Sequence, residues 1–305
     1  MFSRIARSLA GAFIIVLITV LAGIASGRAQ SHRLSDWPQL LDQKKTEDAR
    51  KLCNSFINSS RLDEQVEAQK CLANVALCGG SVIRLEGDDA GGGTLGSGYT
   101  PEAAEEALTH LNIGIKLAPQ DLSIHQGRLH VLETSGRFSD MVQAVDKSAE
   151  TYKGSDALQA WLGYAPELND LRQYNTALAF MQVLDKHYPN QPDVLGNIGA
   201  FLDELKRDSE AIPYLERAAK LAPKDPINAW DLARAYDYSN QIDLADTWYK
   251  KGLSLMTDPQ QLAQSNCLYA KFIDKKLHDP KRAYLLEKKN CARTEHSSGR
   301  ASEVK

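Results

Sequence analysis

The sequence has few of the features that mark an enzyme, a metalloprotein or a nucleic-acid-binding protein. None of its five cysteines forms a CxxC pair, and neither HExxH nor GxSxG is present, so common zinc and serine-nucleophile motifs are missing. Its formal net charge of −3 at pH 7 argues against nucleic acid, because phosphate binding requires a basic surface. We therefore expect no enzymatic activity, no metal site and no cofactor.

A glycine-rich run from Gly91 to Gly98 is only superficially similar to a phosphate-binding loop. The lysine that should follow such a loop is missing, and we expect no strand before it. We interpret residues 81–100 as a flexible connector. An enzyme with a site near this connector is the weakest functional hypothesis.

The N-terminal segment has the layout of a secretory signal. Arg4 and Arg7 precede the uncharged apolar stretch 8–27, and Ala29-Gln30 offers a signal peptidase cleavage site. The alternative is an uncleaved anchor, because a helical stretch of this length can span a bilayer. Removing 1–29 takes away three arginines and changes the formal charge from −3 to −6. We expect a periplasmic or secreted protein, or else a membrane-anchored one with its folded part outside the cytoplasm.

A repeat runs through the second half of the chain. Its anchors are Pro189, Pro223 and Thr257, which are evenly spaced. Small and large residues recur at fixed distances before each anchor. Large residues dominate 28, 25, 21 and 8 positions before the anchors, and small residues lie 24 and 12 positions before them. The large set is Trp161, Leu195 and Ala229 at 28; Tyr164, Ile198 and Leu232 at 25; Leu168, Leu202 and Tyr236 at 21; and Met181, Leu215 and Tyr249 at 8. The small set is Ala165, Gly199 and Ala233 at 24, and Ala177, Ala211 and Ala245 at 12. A period of about 34 residues is typical of stacked helical repeats.

This pattern resembles the tetratricopeptide repeat (TPR) family. The resemblance implies an all-α fold: an α-solenoid of stacked antiparallel helix hairpins, a TPR-like superhelix of about six hairpins. We expect a signal peptide or anchor at 1–29, an N-terminal hairpin at 30–80, the loop at 81–100, a TPR-like array at 101–293 and a disordered tail at 294–305. The clearest units are 158–191, 192–225 and 226–259.

The cysteines suggest two disulfides. Cys53 and Cys71 lie almost symmetrically about one expected turn, and Cys267 and Cys291 about another. Symmetric positions of an antiparallel hairpin face each other, so each pair could close its own hairpin. Cys78 is left over, either as a buried apolar residue or as a competitor for Cys53. Reduced, buried cysteines are the alternative for all five.

The resemblance also implies a groove lined by the first helix of each unit, which holds a peptide or a partner helix. The candidate groove residues are Asn197, Asp203, Trp230, Asp231, Arg234, Asp237 and Tyr238. We expect an acidic groove with an aromatic patch at Trp230 and Tyr238. The alternative is an ordinary solvated helix face, with Trp230 partly packed on the next hairpin.

The sequence therefore predicts an exported, non-enzymatic scaffold that binds a protein or peptide. The alternative is a structural subunit of a larger cell-envelope assembly, with contacts through the convex face or the ends. We expect no nucleic acid as a partner, and no membrane for the mature chain unless the N-terminal segment is uncleaved.

Overall fold

A computed structural model describes residues 34–78, 81–87 and 93–291. The expected signal segment 1–29, its cleavage site and the expected tail 294–305 lie outside the described residues. The chain divides after Trp161 into two compact units.

The described chain is mainly helical. The first part contains α1 (Trp37–Asp42), α2 (Thr46–Asn54), α3 (Leu62–Cys78), β1 (Ser81–Gly87), β2 (Gly93–Tyr99), α4 (Pro101–Leu117), α5 (Leu122–Thr134), α6 (Phe138–Thr151) and α7 (Ser155–Leu162). The second part contains α8 (Tyr164–Asp170), α9 (Tyr174–His187), α10 (Pro192–Glu204), α11 (Asp208–Leu221), α12 (Pro226–Tyr238), α13 (Ile242–Leu255), α14 (Pro259–Lys276) and α15 (Pro280–Asn290). Consecutive helices pack as hairpins within each unit, so the predicted TPR-like, all-α fold class is confirmed.

Several helices begin where Pro follows a capping side chain. Asp225 precedes Pro226, and its carboxylate accepts a hydrogen bond from the Ile227 amide at 2.8 Å. Asp258 does the same for the amide of Gln261 at 2.7 Å. Such caps satisfy amides that have no partner in the first helical turn, and Pro at this position has no amide hydrogen to satisfy.

The period of the repeat appears in the backbone of the turns. Arg172, Lys206 and Asn240 occupy the same position in successive repeats, and all have positive φ angles of 56°, 62° and 60°. Each begins the turn between the two helices of a repeat. The corresponding residue in the preceding hairpin is Gly136, with φ of 69°. The left-handed conformation costs L-residues about 1–2 kcal/mol, so Gly136 relieves in one hairpin a strain that the other three retain.

The segment 81–100 differs from the expected flexible connector. β1 and β2 form an antiparallel hairpin in which Ser81 pairs with Tyr99 and Gly87 with Gly93. It is inserted between α3 and α4, which pack on each other. The sequence signal for β1 is the run Ile83-Arg84-Leu85-Glu86, whose alternation of apolar and charged residues is typical of a strand.

The first unit has a dense core at α1–α3. Trp37, Phe56 and Leu72 are buried there, and Cys53 and Cys71 form a disulfide with a Cα–Cα distance of 6.2 Å. This pair is one of the two that the sequence predicts. Cys78 is free and exposed, so the expectation that it is buried is wrong, since it lies at the very end of α3.

The second unit shows why small residues recur in the repeat. A Cβ atom added to Gly199 in α10 would lie 2.4 Å from Cγ of Leu215 in α11. No real side chain tolerates that distance without movement of its neighbour. The small residue therefore allows α10 and α11 to approach closely, and Ile198 and Leu202 are buried beside it. The second predicted disulfide, Cys267–Cys291, joins α14 to the residue that follows α15.

Candidate functional site

Four of the predicted groove residues come together on one face of the second unit. Asp203 lies in the last turn of α10, while Asp231, Arg234 and Tyr238 lie on α12. The three α12 residues are spaced by three and four positions, which places them on the same side of that helix. We call these four residues the α10–α12 face.

Arg234 is the centre of this face. Its guanidinium donates a hydrogen bond to the Asp203 carboxylate across the two helices. It also lies 3.7 Å from the Asp231 carboxylate. All three side chains are largely buried, with 20%, 7% and 18% of their surface exposed for Arg234, Asp203 and Asp231. One cation therefore compensates two buried carboxylates.

Tyr238 is the accessible aromatic residue of the face. It is 56% exposed, and its ring has Arg234 and Lys206 each 5.9 Å from its centroid. Cations at this distance are attracted to the negative face of an aromatic ring. The two contacts hold the tyrosine ring in place while it remains open to solvent.

Burial shapes the ionisation of the acids. It raises the pKa of Asp203, with Arg234 opposing this shift and the nearby Asp208 adding to it. Burial also raises the pKa of Asp231 to about 6, again against the attraction of Arg234. The pKa of Arg234 is raised, because its attraction to Asp203 and Asp231 outweighs the burial that lowers it. The guanidinium thus stays charged throughout the neutral pH range.

Asp237 belongs to a neighbouring contact with α14. Its Oδ1 atom lies 3.9 Å from the Lys276 ammonium, and the Tyr249 hydroxyl donates to Oδ2 at 3.5 Å. Burial raises its pKa, while Lys276 and Tyr249 oppose the shift. Asp237 therefore links α12 to the helices that follow it.

Asn197 is separate from this cluster. Its side-chain amide donates to the carbonyl oxygen of Asp193 in its own helix at 2.8 Å. Among the described residues it shares no hydrogen bond or ion pair with Arg234 or its partners. It is consequently a weaker candidate for partner binding than the residues of the α10–α12 face.

Trp230 does not form the exposed aromatic patch expected from the sequence. It is only 2% exposed, and its ring lies 4.7 Å from that of Tyr249, which in turn lies 5.0 Å from Phe272. Three aromatic rings from α12, α13 and α14 thus pack together. The bulk of the indole is better accommodated in this apolar cluster than at the surface.

Cations offset part of the expected acidity of the face. Asp203, Asp231 and Asp237 are compensated by Arg234 and Lys276, while Lys206 lies close enough to lower the pKa of Asp203. Neither lysine was predicted from the sequence. Lys206 follows Asp203 by three positions, and the turn after α10 brings the two residues together. Lys276 ends α14, and only the packing of the helices brings it close to Asp237.

The fold and this face define a helical-repeat protein with a polar, partly aromatic surface on the first helices of two consecutive repeats. The sequence model described as "Tetratricopeptide repeat" matches residues 192–225. These residues contain α10 and α11 and supply Asp203. The chain therefore contains a tetratricopeptide repeat at this position.

Comparison with solved structures finds other helical-repeat proteins. MamA 41-end from Desulfovibrio magneticus RS-1 has a TM-score of 0.41 and 21% identity, and the match covers 65% of this chain and 88% of MamA. YrrB, described as a TPR protein with an unusual peptide-binding site, has a TM-score of 0.45 and 16% identity, with coverages of 60% and 91%. PilW, a type IV pilus biogenesis factor, has a TM-score of 0.42 and 21% identity, with coverages of 63% and 87%. At these scores the similarities do not specify the function of this chain.

No curated protein matches the chain by sequence. Within the described residues, no helix is both long and apolar enough to cross a bilayer.

Proposed function

We propose that this protein is an exported, non-enzymatic TPR scaffold that binds a protein or peptide through the α10–α12 face. The observation that carries the proposal is the position of Tyr238. A large aromatic side chain is exposed but in contact with two cations, which limits the entropy lost when a partner packs on it. Tyr and Arg are also among the residue types that most often dominate binding energy at interfaces.

The chemistry of the partner follows from the charges. The carboxylates of this face are compensated within the protein, so a strongly basic peptide would find few free acids. Ile227, which is 50% exposed, lies seven positions before Arg234 and so on the same side of α12. A segment with apolar or aromatic side chains, spaced to contact Ile227 and Tyr238, suits this surface best.

Export is supported by the two disulfides, Cys53–Cys71 and Cys267–Cys291. Disulfides persist in oxidising compartments and are rare in reducing ones. Together with the signal-like N-terminal sequence, they favour a periplasmic or secreted protein.

Affinity capture from a cell-envelope extract tests the binding proposal. The bait is the tagged protein, compared with a Tyr238→Ala variant and with Tyr284→Ala as the matched control. Tyr284 lies on α15 and is 60% exposed, so both substitutions remove an exposed ring. A partner lost from Tyr238→Ala but retained by Tyr284→Ala supports the proposal, whereas equal capture by all three baits contradicts it.

A second candidate function is a structural subunit of a larger envelope assembly. It is favoured by Tyr284 and Leu285 of the last helix, which are 60% and 68% exposed. Adjacent exposed apolar side chains are typical of contact sites. A large complex on size exclusion of native extract, disrupted by Tyr284→Ser/Leu285→Ser and not by Tyr238→Ala, would favour this function.

A further inference from the structure

A polar cleft lies between α4, α5 and α6 of the first unit. It has a volume of about 200 Å³ and is lined by side chains of all three helices. Arg128 of α5 is half-buried in it. Asn112 of α4 and Gln143 and Lys147 of α6 are exposed around it. We call this the Arg128 cleft.

Arg128 occupies a position of the repeat that is otherwise apolar. The residues that lie 25 positions before their anchors are Tyr164, Ile198 and Leu232. When the repeat period is counted from Pro119, the next anchor falls at position 153. Arg128 lies 25 positions before it and is therefore the equivalent residue of the hairpin α5–α6. Tyr164, Ile198 and Leu232 are buried in the core, so the hairpin α5–α6 carries a guanidinium where its counterparts carry core side chains.

The acids of the cleft are already engaged by a different arginine. Arg137 donates to Glu105 at 2.6 Å and to Asp140 at 2.7 Å. Arg128 and Lys147, by contrast, make no hydrogen bond or ion pair with any other residue in the described part of the chain. Burial lowers the pKa of Arg128, although Asp140 partly offsets this effect. Two cations of the cleft therefore lack a direct counter-ion.

A half-buried guanidinium without a counter-ion lowers the stability of the fold unless a bound group compensates its charge. A partly buried charge without a partner loses hydration that a protein group normally replaces. An apolar residue at position 128 would avoid this cost and would match the other repeats. A ligand that brings negative charge to the guanidinium explains why an arginine can be accommodated there.

We propose that the Arg128 cleft binds a phosphate group, either as free phosphate or as part of a small phosphomonoester. The guanidinium fork of Arg128 matches two phosphate oxygens, and Lys147 adds a point charge. The amides of Asn112 and Gln143 can donate to the remaining oxygens. Two free cations suit the charge of about −2 that a phosphate carries at neutral pH better than the single charge of a carboxylate. A cleft volume of about 200 Å³ is enough for a phosphate with a short substituent.

Calorimetric titration of the disulfide-bonded protein tests this proposal. The probes are inorganic phosphate, glycerol 3-phosphate and acetate, all at the same ionic strength. We expect the two phosphates to bind and acetate to bind at least tenfold more weakly. Equal affinity for acetate, or no heat of binding with either phosphate at millimolar concentration, overturns the proposal.

Two variants locate the binding within the cleft. Arg128→Leu should weaken phosphate binding at least tenfold, and Lys147→Gln several-fold, while the exposed control Lys220→Gln on α11 should leave it unchanged. Arg128→Leu should also raise the melting temperature in phosphate-free buffer, because it removes a half-buried charge that has no direct partner among the described residues. This rise shows that the loss of binding does not come from unfolding. A lower melting temperature together with unchanged phosphate affinity would make Arg128 a structural residue and reject the site.

Discussion

Arg234 of α12 donates to Asp203 of α10 and so ties the first helices of two consecutive repeats together. Both side chains are largely buried, with 20% and 7% exposed. The same guanidinium lies beside the exposed ring of Tyr238. One interaction therefore stabilises the packing of two repeats and also positions the residue that we propose to contact a partner.

The Arg234–Asp203 pair should contribute measurably to stability. Arg234→Met leaves Asp203 and Asp231 without their cation, and we expect a loss of about 3 kcal/mol, as for other buried pairs that lose one member. Asp203→Asn in the same chain should restore part of it, with a coupling of about 1–3 kcal/mol in a double-mutant cycle. Urea denaturation at pH 7 measures both values.

The matched control for this pair is Arg207→Met. Arg207 pairs with Glu210 at 2.8 Å on the exposed surface, where ion pairs contribute little to stability. Equal losses for Arg234→Met and Arg207→Met would show that the buried pair has no special role.

Gly199 should not tolerate a side chain. Gly199→Ala places a methyl group 2.4 Å from Leu215, and we expect a loss of about 2 kcal/mol from overpacking. Gly154→Ala is the control, because no atom lies within 4 Å of its added Cβ; its effect should be within about 0.5 kcal/mol. Thermal denaturation followed by circular dichroism compares the two. A neutral Gly199→Ala would mean that α10 and α11 can separate without loss.

The Cys53–Cys71 disulfide should stabilise the first hairpin. The two cysteines are 18 residues apart, and closing a loop of this size corresponds to about 3 kcal/mol of unfolding free energy. Cys53→Ala/Cys71→Ala should lose about that amount, as measured by denaturant unfolding under oxidising conditions. Cys78→Ser removes a free, exposed thiol and should change little. If the oxidised and reduced wild-type proteins unfold at the same denaturant concentration, the disulfide has no stabilising effect.

The first unit should lose stability as the pH falls below about 6.5. Burial lowers the pKa of His125 from its ordinary value of 6.5, and its ring nitrogens lie 2.7 Å from the Ser148 hydroxyl and 3.1 Å from the Pro119 carbonyl oxygen. A neutral ring donates its Nε2–H to the Pro119 carbonyl, and its Nδ1 competes with the Ala144 carbonyl oxygen, 2.9 Å from the Ser148 hydroxyl, for the single hydroxyl hydrogen of Ser148. Below the ordinary pKa of histidine the unfolded chain binds a proton that the folded chain does not, so the free energy of unfolding decreases.

His125→Gln is the variant that isolates this effect. It should be less stable than the wild type at pH 7, but its stability should change less between pH 7 and pH 5. His110, whose pKa is also lowered by burial, contributes a background slope that the two proteins share. Parallel stability profiles for wild type and His125→Gln would show that His125 is not responsible.

The mass of the purified protein shows directly whether the N-terminal segment has been cleaved. If the signal is cleaved, intact-mass measurement of the exported protein should show a chain that begins at Gln30. A protein that retains residues 8–27 and fractionates with membranes would establish the anchor instead. Retention of the whole chain in the cytoplasm would contradict the proposed export.

The limits of sequence reasoning are clear at three residues. Trp230 occupies a groove position of the repeat, yet it is buried beside Tyr249, because a large ring follows the available apolar space rather than the average pattern of a family. Lys276 compensates Asp237 from a different hairpin, far along the chain. In the sequence, Arg128 is one polar residue of a degenerate hairpin. Only the positions of α4 and α6 in the structure show that it lines a cleft.

The repeat could be predicted from the sequence because its physical cause is local and periodic. Two helices can pack closely only where a small residue such as Gly199 faces a large one such as Leu215, and this requirement recurs once in every repeat of the sequence. The symmetric placement of each cysteine pair about its hairpin turn likewise indicated which cysteines face each other. Charge compensation, the burial of Trp230 and the β-hairpin between α3 and α4 depend on contacts between distant segments, whose distances are set when the helices pack. For this reason the sequence was sufficient for the helical-repeat architecture, whereas the character of its surfaces was decided by the tertiary structure.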